Sequence, residues 1–310
     1  MIPIPTLARL IEEARTVGPR PVVVAAAEND TALAAAAHAR RKRIAEVILV
    51  GGEAGIRSRL QSLGEDPGLY RIVPAAGDAE AAAIAVSMIR AGEAAVLMKG
   101  RMKTGDLLHA ILDRRTGLRE GRLLSDVLVA EHPLSDEARL VGVTDGGVNV
   151  APNLAQKKAI VENAVTLFRR LGHDRPKVAC LCAVETVTEA MPHTMDAQAL
   201  AEANADDELR DCIVSGPLAL DNALSEGAAR AKGIDHPVAG RADVLLVPTI
   251  EAGNALGKAF TYLAKRPVAH VIVGAKAPVL IPSRVERADD KLCSIALGVL
   301  AATRRPAEAP

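Results

Sequence analysis

The sequence predicts an α/β protein: two three-layer α/β/α domains with mainly parallel sheets. Three observations predict it. Short β-branched and aliphatic runs alternate with longer Ala-rich amphipathic stretches along the chain, the pattern of strands covered on both faces by helices. The length, 310 residues, suits two domains at roughly 100–200 residues each. Apolar residues make up 49% of the chain, enough for full cores, and so many are alanines that helices can pack closely on sheets.

In chain order the first element is a helix, Ile4–Val17, where Glu12 and Glu13 interrupt the apolar stretch and make it amphipathic. Four strand–helix pairs follow: Pro21–Ala26 with Thr31–Lys42, Glu46–Val50 with Gly55–Leu63, Arg71–Val73 with Ala79–Ala91, and Ala94–Met98 with Thr104–Arg114. Strands Asp126–Glu131 and Leu140–Thr144 come without a helix between them. Helix Asn153–Leu171 carries its own end signals. Asn153 follows Pro152 and precedes the periodic Leu154, Ile160, Val161, Val165 and Phe168, so it is placed to cap the helix. Gly172 lies just past the last turn, where glycine readily closes a helix in the left-handed conformation. The remaining strands are Lys177–Ala183, Asp211–Ser215, Ala242–Val247 and Val268–Val273, and the remaining helices Met195–Ala205, Leu220–Ala231, Glu251–Leu263 and Ala288–Arg304. The tail from Arg304 to Pro310 has two prolines and no apolar cluster, as a frayed end does.

Composition excludes several classes. The 38 basic and 38 acidic residues cancel, which leaves no basic face for nucleic acid. Phe168, Phe260, Tyr70 and Tyr262 are the only aromatics besides histidine, too few for a base-stacking platform. No apolar run approaches the ~20 residues that span a bilayer, and the N-terminus has no secretory pattern. A soluble cytoplasmic protein is expected. Cys180 and Cys182 alternate within a strand pattern and read as small buried hydrophobes in a reduced compartment. No metal-ligand spacing appears.

In parallel α/β folds, ligands sit beyond the carboxyl ends of strands, which directs attention to the segments after them. Gly51-Gly52-Glu-Ala-Gly55 matches neither a dinucleotide nor a Walker pattern and reads as a plain strand-to-helix turn. Met98-Lys-Gly-Arg-Met-Lys-Thr-Gly-Asp106 carries Lys99, Arg101 and Lys103 into a helix start, with Thr104 as cap and Asp106 in the first turn. Cations beside a helix N-terminus suit a phosphate; a solvated loop explains the same charges. Ile281-Pro-Ser-Arg284 holds a hydroxyl and a guanidinium in a short loop restricted by Pro282. The guanidinium offers a bidentate fork for phosphate oxygens and the hydroxyl can donate to a carbonyl oxygen; an ordinary helix-entry loop would look the same. Glu286, Asp289 and Asp290 follow. Acids there favour the helix dipole, and Glu286 or Asp290 could instead serve as a base.

Together these segments resemble the phosphate acetyl/butyryltransferase family, on the butyryl side. Leu97-Met-Lys-Gly100 with Lys103-Thr-Gly-Asp-Leu107 resembles its N-terminal signature. Thr144-Asp-Gly-Gly-Val-Asn149, Ala183-Val-Glu-Thr186, Gly216-Pro-Leu-Ala-Leu-Asp-Asn222, Glu251-Ala-Gly-Asn254, Gly274-Ala-Lys-Ala-Pro278 and Ser283-Arg284 before Ser294-Ile-Ala-Leu297 continue the series in order. The resemblance implies an isocitrate/isopropylmalate dehydrogenase-like architecture with an interdomain cleft. One domain would comprise residues 1–139 and 279–310, the other, dimer-forming, residues 140–278. It implies a homodimer acting on acyl-CoA, phosphate and acyl phosphate, with coenzyme A as substrate and no bound cofactor or metal. A carboxylate would take the coenzyme A thiol proton, and the thiolate would attack the carbonyl of an acyl phosphate. By resemblance Arg284 binds the phosphate, Ser283 donates to the oxyanion, and Asp290 is the base with Glu286 its rival. Lys99, Gly100, Lys103, Thr104, Asp145, Asn149, Glu185, Asn254 and Lys276 would contact substrate.

The chain departs from the family pattern at Ser215 and Thr249, where acids are usual, at Arg241, at Gly146-Gly147 and at Tyr262. Those departures would line the cleft and bear on acyl-group choice. The missing acids at Ser215 and Thr249 keep open a coenzyme A/acyl-phosphate-binding protein without turnover, and the shared architecture keeps open a metal- and NAD(P)-dependent dehydrogenase.

Overall fold

The structure is a computed structural model that describes residues 2–135, 137–283 and 286–303. The chain divides into two compact units, one of residues 8–122 with 269–303 and the other of 2–7 with 123–268.

The N-terminal half supplies α1 (Leu7–Thr16), β1 (Arg20–Ala25), α2 (Asp30–Arg41), β2 (Ala45–Gly51), α3 (Glu53–Ser62), β3 (Arg71–Pro74), α4 (Asp78–Ala91), β4 (Val96–Lys99) and α5 (Thr104–Leu112). The middle supplies β5 (Ser125–Glu131), β6 (Leu140–Thr144), α6 (Leu154–Arg170), β7 (Lys177–Leu181), α7 (Pro192–Ala205), β8 (Ile213–Leu218), α8 (Leu220–Leu224), α9 (Glu226–Ala231), β9 (Val244–Leu246) and α10 (Ile250–Tyr262). The chain closes with β10 (Val268–Val273), β11 (Val279–Leu280) and α11 (Ala288–Thr303). Helix α1 starts at Leu7 rather than Ile4 because a residue before proline, here Ile4 before Pro5, disfavours the helical region.

In the first unit the strand order is β3-β2-β1-β4-β11-β10, parallel throughout except β10 against β11. In the second it is β5-β6-β9-β7-β8, parallel except β5 against β6. The mainly parallel α/β expectation is borne out. Both antiparallel pairs join strands linked by short connections, too short for the helical crossover that parallel neighbours need. Helix α11 is buried from Asp290 to Ala301 and packs on α2, whose buried stripe is Ala32, Leu33, Ala35, Ala36, Ala37 and Ala39. Five alanines in that stripe let two helix backbones approach closely. The second unit is centred on Val141, Val143, Ala179, Leu245 and Phe260.

Three differences from the sequence expectation have local causes. Strand β8 runs Ile213–Leu218, not Asp211–Ser215. Asp211 sits at φ 61°, which ends extended backbone there, and Pro217 is tolerated because β8 closes that unit's strand order. The helix expected at Leu220–Ala231 breaks at Ser225, whose hydroxyl caps α9 by accepting from the Ala228 N–H. Strand β11 is two residues long, below any detectable periodicity.

The N-cap expectation at Asn153 holds in full. Its side chain accepts from the Gln156 N–H, and the Gln156 side chain accepts from the Asn153 N–H, both at 2.9 Å. Gly172 follows at φ 105°. Asn153→Ala removes one half of this capping box. It is expected to cost about 1 kcal/mol, read as a thermal midpoint lower by roughly 2–4 °C.

Candidate active site

Within the first unit, Lys99, Gly100, Lys103, Thr104, Ser283, Glu286 and Asp290 lie at or after the carboxyl ends of β4 and β11, which neighbour each other and, through β4, β1. Strand β11 pairs with β4 through Val279–Leu97 and Leu280–Met98. The segments Lys99–Thr104 and Ile281–Ser283 therefore leave adjacent strands in the same direction. Gly100 N–H donates to Ala25 O at 2.8 Å and Arg101 N–H to Ala26 O at 2.7 Å, so the β4 loop lies directly against the end of β1. Lys99 is buried, and its ammonium donates to Gly100 O at 3.3 Å and Met102 O at 3.2 Å. It staples the loop from inside, while Arg101, Lys103 and Thr104 are exposed. The helix cap is not Thr104 as expected. Lys103 holds the N-cap position of α5 with no side-chain bond, and Thr104 is the first helical residue. The Thr104 hydroxyl and the N-terminal N–H groups of α5 are not spent on each other, which suits a helix start that meets an anion.

After β11, Ser283 and Glu286 form a reciprocal turn. Ser283 N–H donates to Glu286 Oε1 at 2.9 Å, and Glu286 N–H donates to Ser283 O at 3.2 Å. The Ser-x-x-Glu spacing is the sequence sign of such a capping turn; it was there to be read from the chain. Pro282 is buried and Ser283 half-buried. Glu286 is 7% exposed and Asp290 3%. One oxygen of each, Glu286 Oε2 and Asp290 Oδ1, is buried with no hydrogen-bond partner among the described residues. Buried carboxylate oxygens without donors are costly. Arg284, expected to bind phosphate, lies outside the described residues.

Lys291, one residue past Asp290, is 2% exposed. Its ammonium donates to Glu286 O at 2.7 Å, Thr31 Oγ1 at 2.9 Å and Ser283 O at 3.2 Å. Burial holds its pKa below the usual lysine range, against the pull of the Glu286 and Asp290 carboxylates. The sequence reading missed both Lys291 and Thr31. Lys276 lies elsewhere in this unit, exposed, with its ammonium 3.4 Å from Arg90 O. The turn Gly51–Gly52 is occupied by the protein's own carboxylate: Gly52 N–H donates to Glu28 Oε1 at 2.8 Å.

The second unit holds the other expected residues in two internal arrangements. Asp145 is 2% exposed. Its carboxylate accepts from the N–H groups of Gly147, Val148 and Asn149 and from Asn149 Nδ2, at 2.6–3.2 Å. Burial pushes its pKa up and the neighbouring Asp126 adds to this, while those N–H donors oppose it. Asn149 Nδ2 also donates to Leu124 O. This pair braces the loop after β6. Asn254 is exposed, its amide 3.5 Å from Gly146 O. Glu185 accepts from Lys232 at 2.6 Å and Asn222 at 2.5 Å, and the lysine contact lowers its pKa.

Several departures from the family pattern are matters of packing. A Cβ at Gly146 would stand 2.9 Å from the Gly253 carbonyl carbon, and one at Gly147 3.0 Å from Asp126 Oδ2, so the pair permits close approach. Arg241 forms an exposed ion pair with Glu226, and Ser215 lies inside β8. Burial pushes the Cys182 and Cys212 thiols up to about 11 and Cys180 higher, which denies the protein a thiolate of its own there near neutral pH.

The family model described as phosphate acetyl/butaryl transferase matches residues 77–299. The chain belongs to the phosphate acetyl/butyryltransferase family. A phosphate acetyltransferase of Thermotoga maritima is 41% identical over 294 residues, covering 95% of this chain and 99% of that protein. A probable phosphate butyryltransferase of Bacillus subtilis is 44% identical over 280 residues, covering 90% and 92%. A crystal structure of a branched-chain phosphotransacylase from Enterococcus faecalis V583 superposes with a TM-score of 0.80 at 30% identity, covering 92% of this chain and all of that one. The match of this acyltransferase family takes in the cationic loop Lys99–Thr104, the Ser283–Glu286 turn and most of α11.

Proposed function

We propose that this member of the phosphate acetyl/butyryltransferase family transfers a short acyl group, butyryl or acetyl, reversibly between coenzyme A and inorganic phosphate. The observation that carries the mechanism is the turn after β11. It joins Ser283 to Glu286, whose carboxyl, like that of Asp290 on α11, is buried with one oxygen lacking a donor among the described residues. Asp290 acts as the base and takes the coenzyme A thiol proton. The thiolate attacks the acyl phosphate carbonyl, the C–O bond to phosphate breaks, and phosphate leaves with the bonding pair. The Ser283 hydroxyl donates to the developing oxyanion. Arg284 takes the phosphate in its guanidinium fork, with Lys103, Thr104 and the start of α5 completing the anion site.

Glu286 is assigned to holding the turn rather than to the base, because Ser283 N–H already engages its Oε1. Asp145 with Asn149, and Glu185 with Lys232, are assigned to bracing loops that face substrate. Lys99 and Gly100 set the position of the β4 loop. Asn254 and Lys276, exposed and weakly bonded, are assigned to the coenzyme A moiety. The reaction is written without a metal or a resident cofactor, in a cytoplasmic homodimer, as the resemblance implies. Among the described residues no helix is long and apolar enough to cross a membrane.

The test incubates purified protein with phosphate and either butyryl-CoA or acetyl-CoA and follows free thiol. Phosphate-dependent thiol release is expected with at least one of them. No release with any short acyl-CoA overturns the reading. Ser283→Ala removes one oxyanion donor and is expected to lower kcat by about 10²–10³-fold. An undiminished kcat would take Ser283 out of the reaction.

A further inference from the structure

Lys291 stands where two physical effects oppose a cation. It is in the first turn of α11, the positive end of the helix dipole, where acids are favoured. It is also 2% exposed, so its ammonium is removed from water. Replacing a whole buried ion pair by apolar side chains is often neutral or stabilising, but removing one partner is costly, and Lys291 faces the Glu286 and Asp290 carboxylates. A methionine would fill a similar volume against α11 and no more. What a methionine could not do is make the bonds this side chain makes.

An ammonium has three donors, and Lys291 has three acceptors in reach: Glu286 O, Thr31 Oγ1 and Ser283 O. Two belong to the turn that presents Ser283. The third belongs to the start of α2. Thr31 is itself held, its hydroxyl donating to Asn29 Oδ1 at 2.8 Å, and that same oxygen caps α2 by accepting from the Ala32 N–H at 2.9 Å. The turn is thus tied through one buried amine to the capped end of a helix 260 residues away in sequence. None of the three acceptors is an interior helix carbonyl, so the amine acts on the turn and on its anchor.

We propose that Lys291 is a positioning residue for acyl transfer: its ammonium fixes the Ser283–Glu286 turn against Thr31 and so sets where the Ser283 hydroxyl stands relative to Asp290. This rests on the acyltransferase reading for its catalytic consequence, and on geometry alone for the positioning.

The experiment has two arms. Hydrogen exchange of the Ser283 and Glu286 amides, both bonded within the turn, reads the positioning whether or not the protein turns over. Lys291→Met is expected to speed exchange there at least about tenfold, with the core strands unchanged. Kinetics read the consequence. Lys291→Met is expected to lower kcat about 100-fold, the effect of misplacing a reacting group by about an ångström, with KM values within about threefold. In a Ser283→Ala background the same substitution should cost less than about threefold, since the two act as a unit. A merely structural role would give the same loss in both backgrounds and would overturn the inference. Unchanged exchange would overturn it too. If wild-type protein releases no thiol, the functional reading falls and the exchange arm still decides the positioning. If Lys291→Met does not fold, Thr31→Ala keeps the lysine and removes its anchor. It is expected to lower kcat about tenfold with the same non-additivity, and full activity in Thr31→Ala would equally overturn the inference.

Discussion

Asp290→Asn is expected to lower kcat for thiol attack on acyl phosphate by about 10²–10⁴-fold, the usual contribution of a positioned general base. The substitution is nearly isosteric. It keeps the shape of a side chain that is 3% exposed and removes the charge, which faces Arg287 Nε at 3.5 Å, together with the ability to accept the thiol proton. A free thiol has a pKa near 8.5, so near neutral pH most coenzyme A arrives protonated and the base has a proton to take. Glu286→Gln provides the contrast. Its Oε1 can still accept from Ser283 N–H, so the turn should persist and the loss should be far smaller. Both variants are measured by phosphate-dependent thiol release beside thermal melts. If Glu286→Gln abolishes turnover while Asp290→Asn remains active, the two carboxylates exchange roles.

Gly100→Ala is expected to have the largest effect on stability. A Cβ at Gly100 would stand 2.1 Å from Ala26 O, 2.7 Å from Ala26 C and 2.8 Å from Ala25 O. These are backbone atoms of a neighbouring strand end, so no side-chain rotation relieves the clash. The strand ends must part, and with them go the Gly100 N–H to Ala25 O and Arg101 N–H to Ala26 O bonds. Overpacking of this kind with the loss of a bond costs about 3 kcal/mol, or roughly 6–12 °C in thermal midpoint. Because the same loop carries Lys99 to Thr104, the KM for phosphate should rise together with the loss of stability. A midpoint within about 2 °C of wild type would show that the two backbones do not meet there.

The candidate site was legible in the sequence to an uneven degree. Ser283, Glu286 and Asp290 stand out because they cluster after a proline-restricted loop; the structure joins Ser283 and Glu286 in one turn and carries Asp290 on α11. The Ser-x-x-Glu spacing at Ser283 and Glu286 is itself the sign of a capping turn. Threonine favours a cap position, yet Thr104 is the first residue of α5 and Lys103 holds the N-cap. The spacing of Asp145 and Asn149 does not disclose that Asn149 Nδ2 donates to the Asp145 carboxylate. The glycine turn at Gly51–Gly52 was read as plain; no pattern signals that Glu28, more than twenty residues earlier, fills it.

The sequence by itself determined the class of fold and the family. Alternation of strand and helix patterns records local backbone preference and burial, which each short segment expresses without help from the rest. The ordered motifs identify the family because there are many of them in register. Only the tertiary structure decided which polar groups satisfy one another. It set β11 beside β4, pressed Gly100 onto the end of β1, and gave Lys291 acceptors at Thr31, Ser283 and Glu286. A buried donor takes its partner from whatever the fold brings near, and no periodicity in the chain carries that distance.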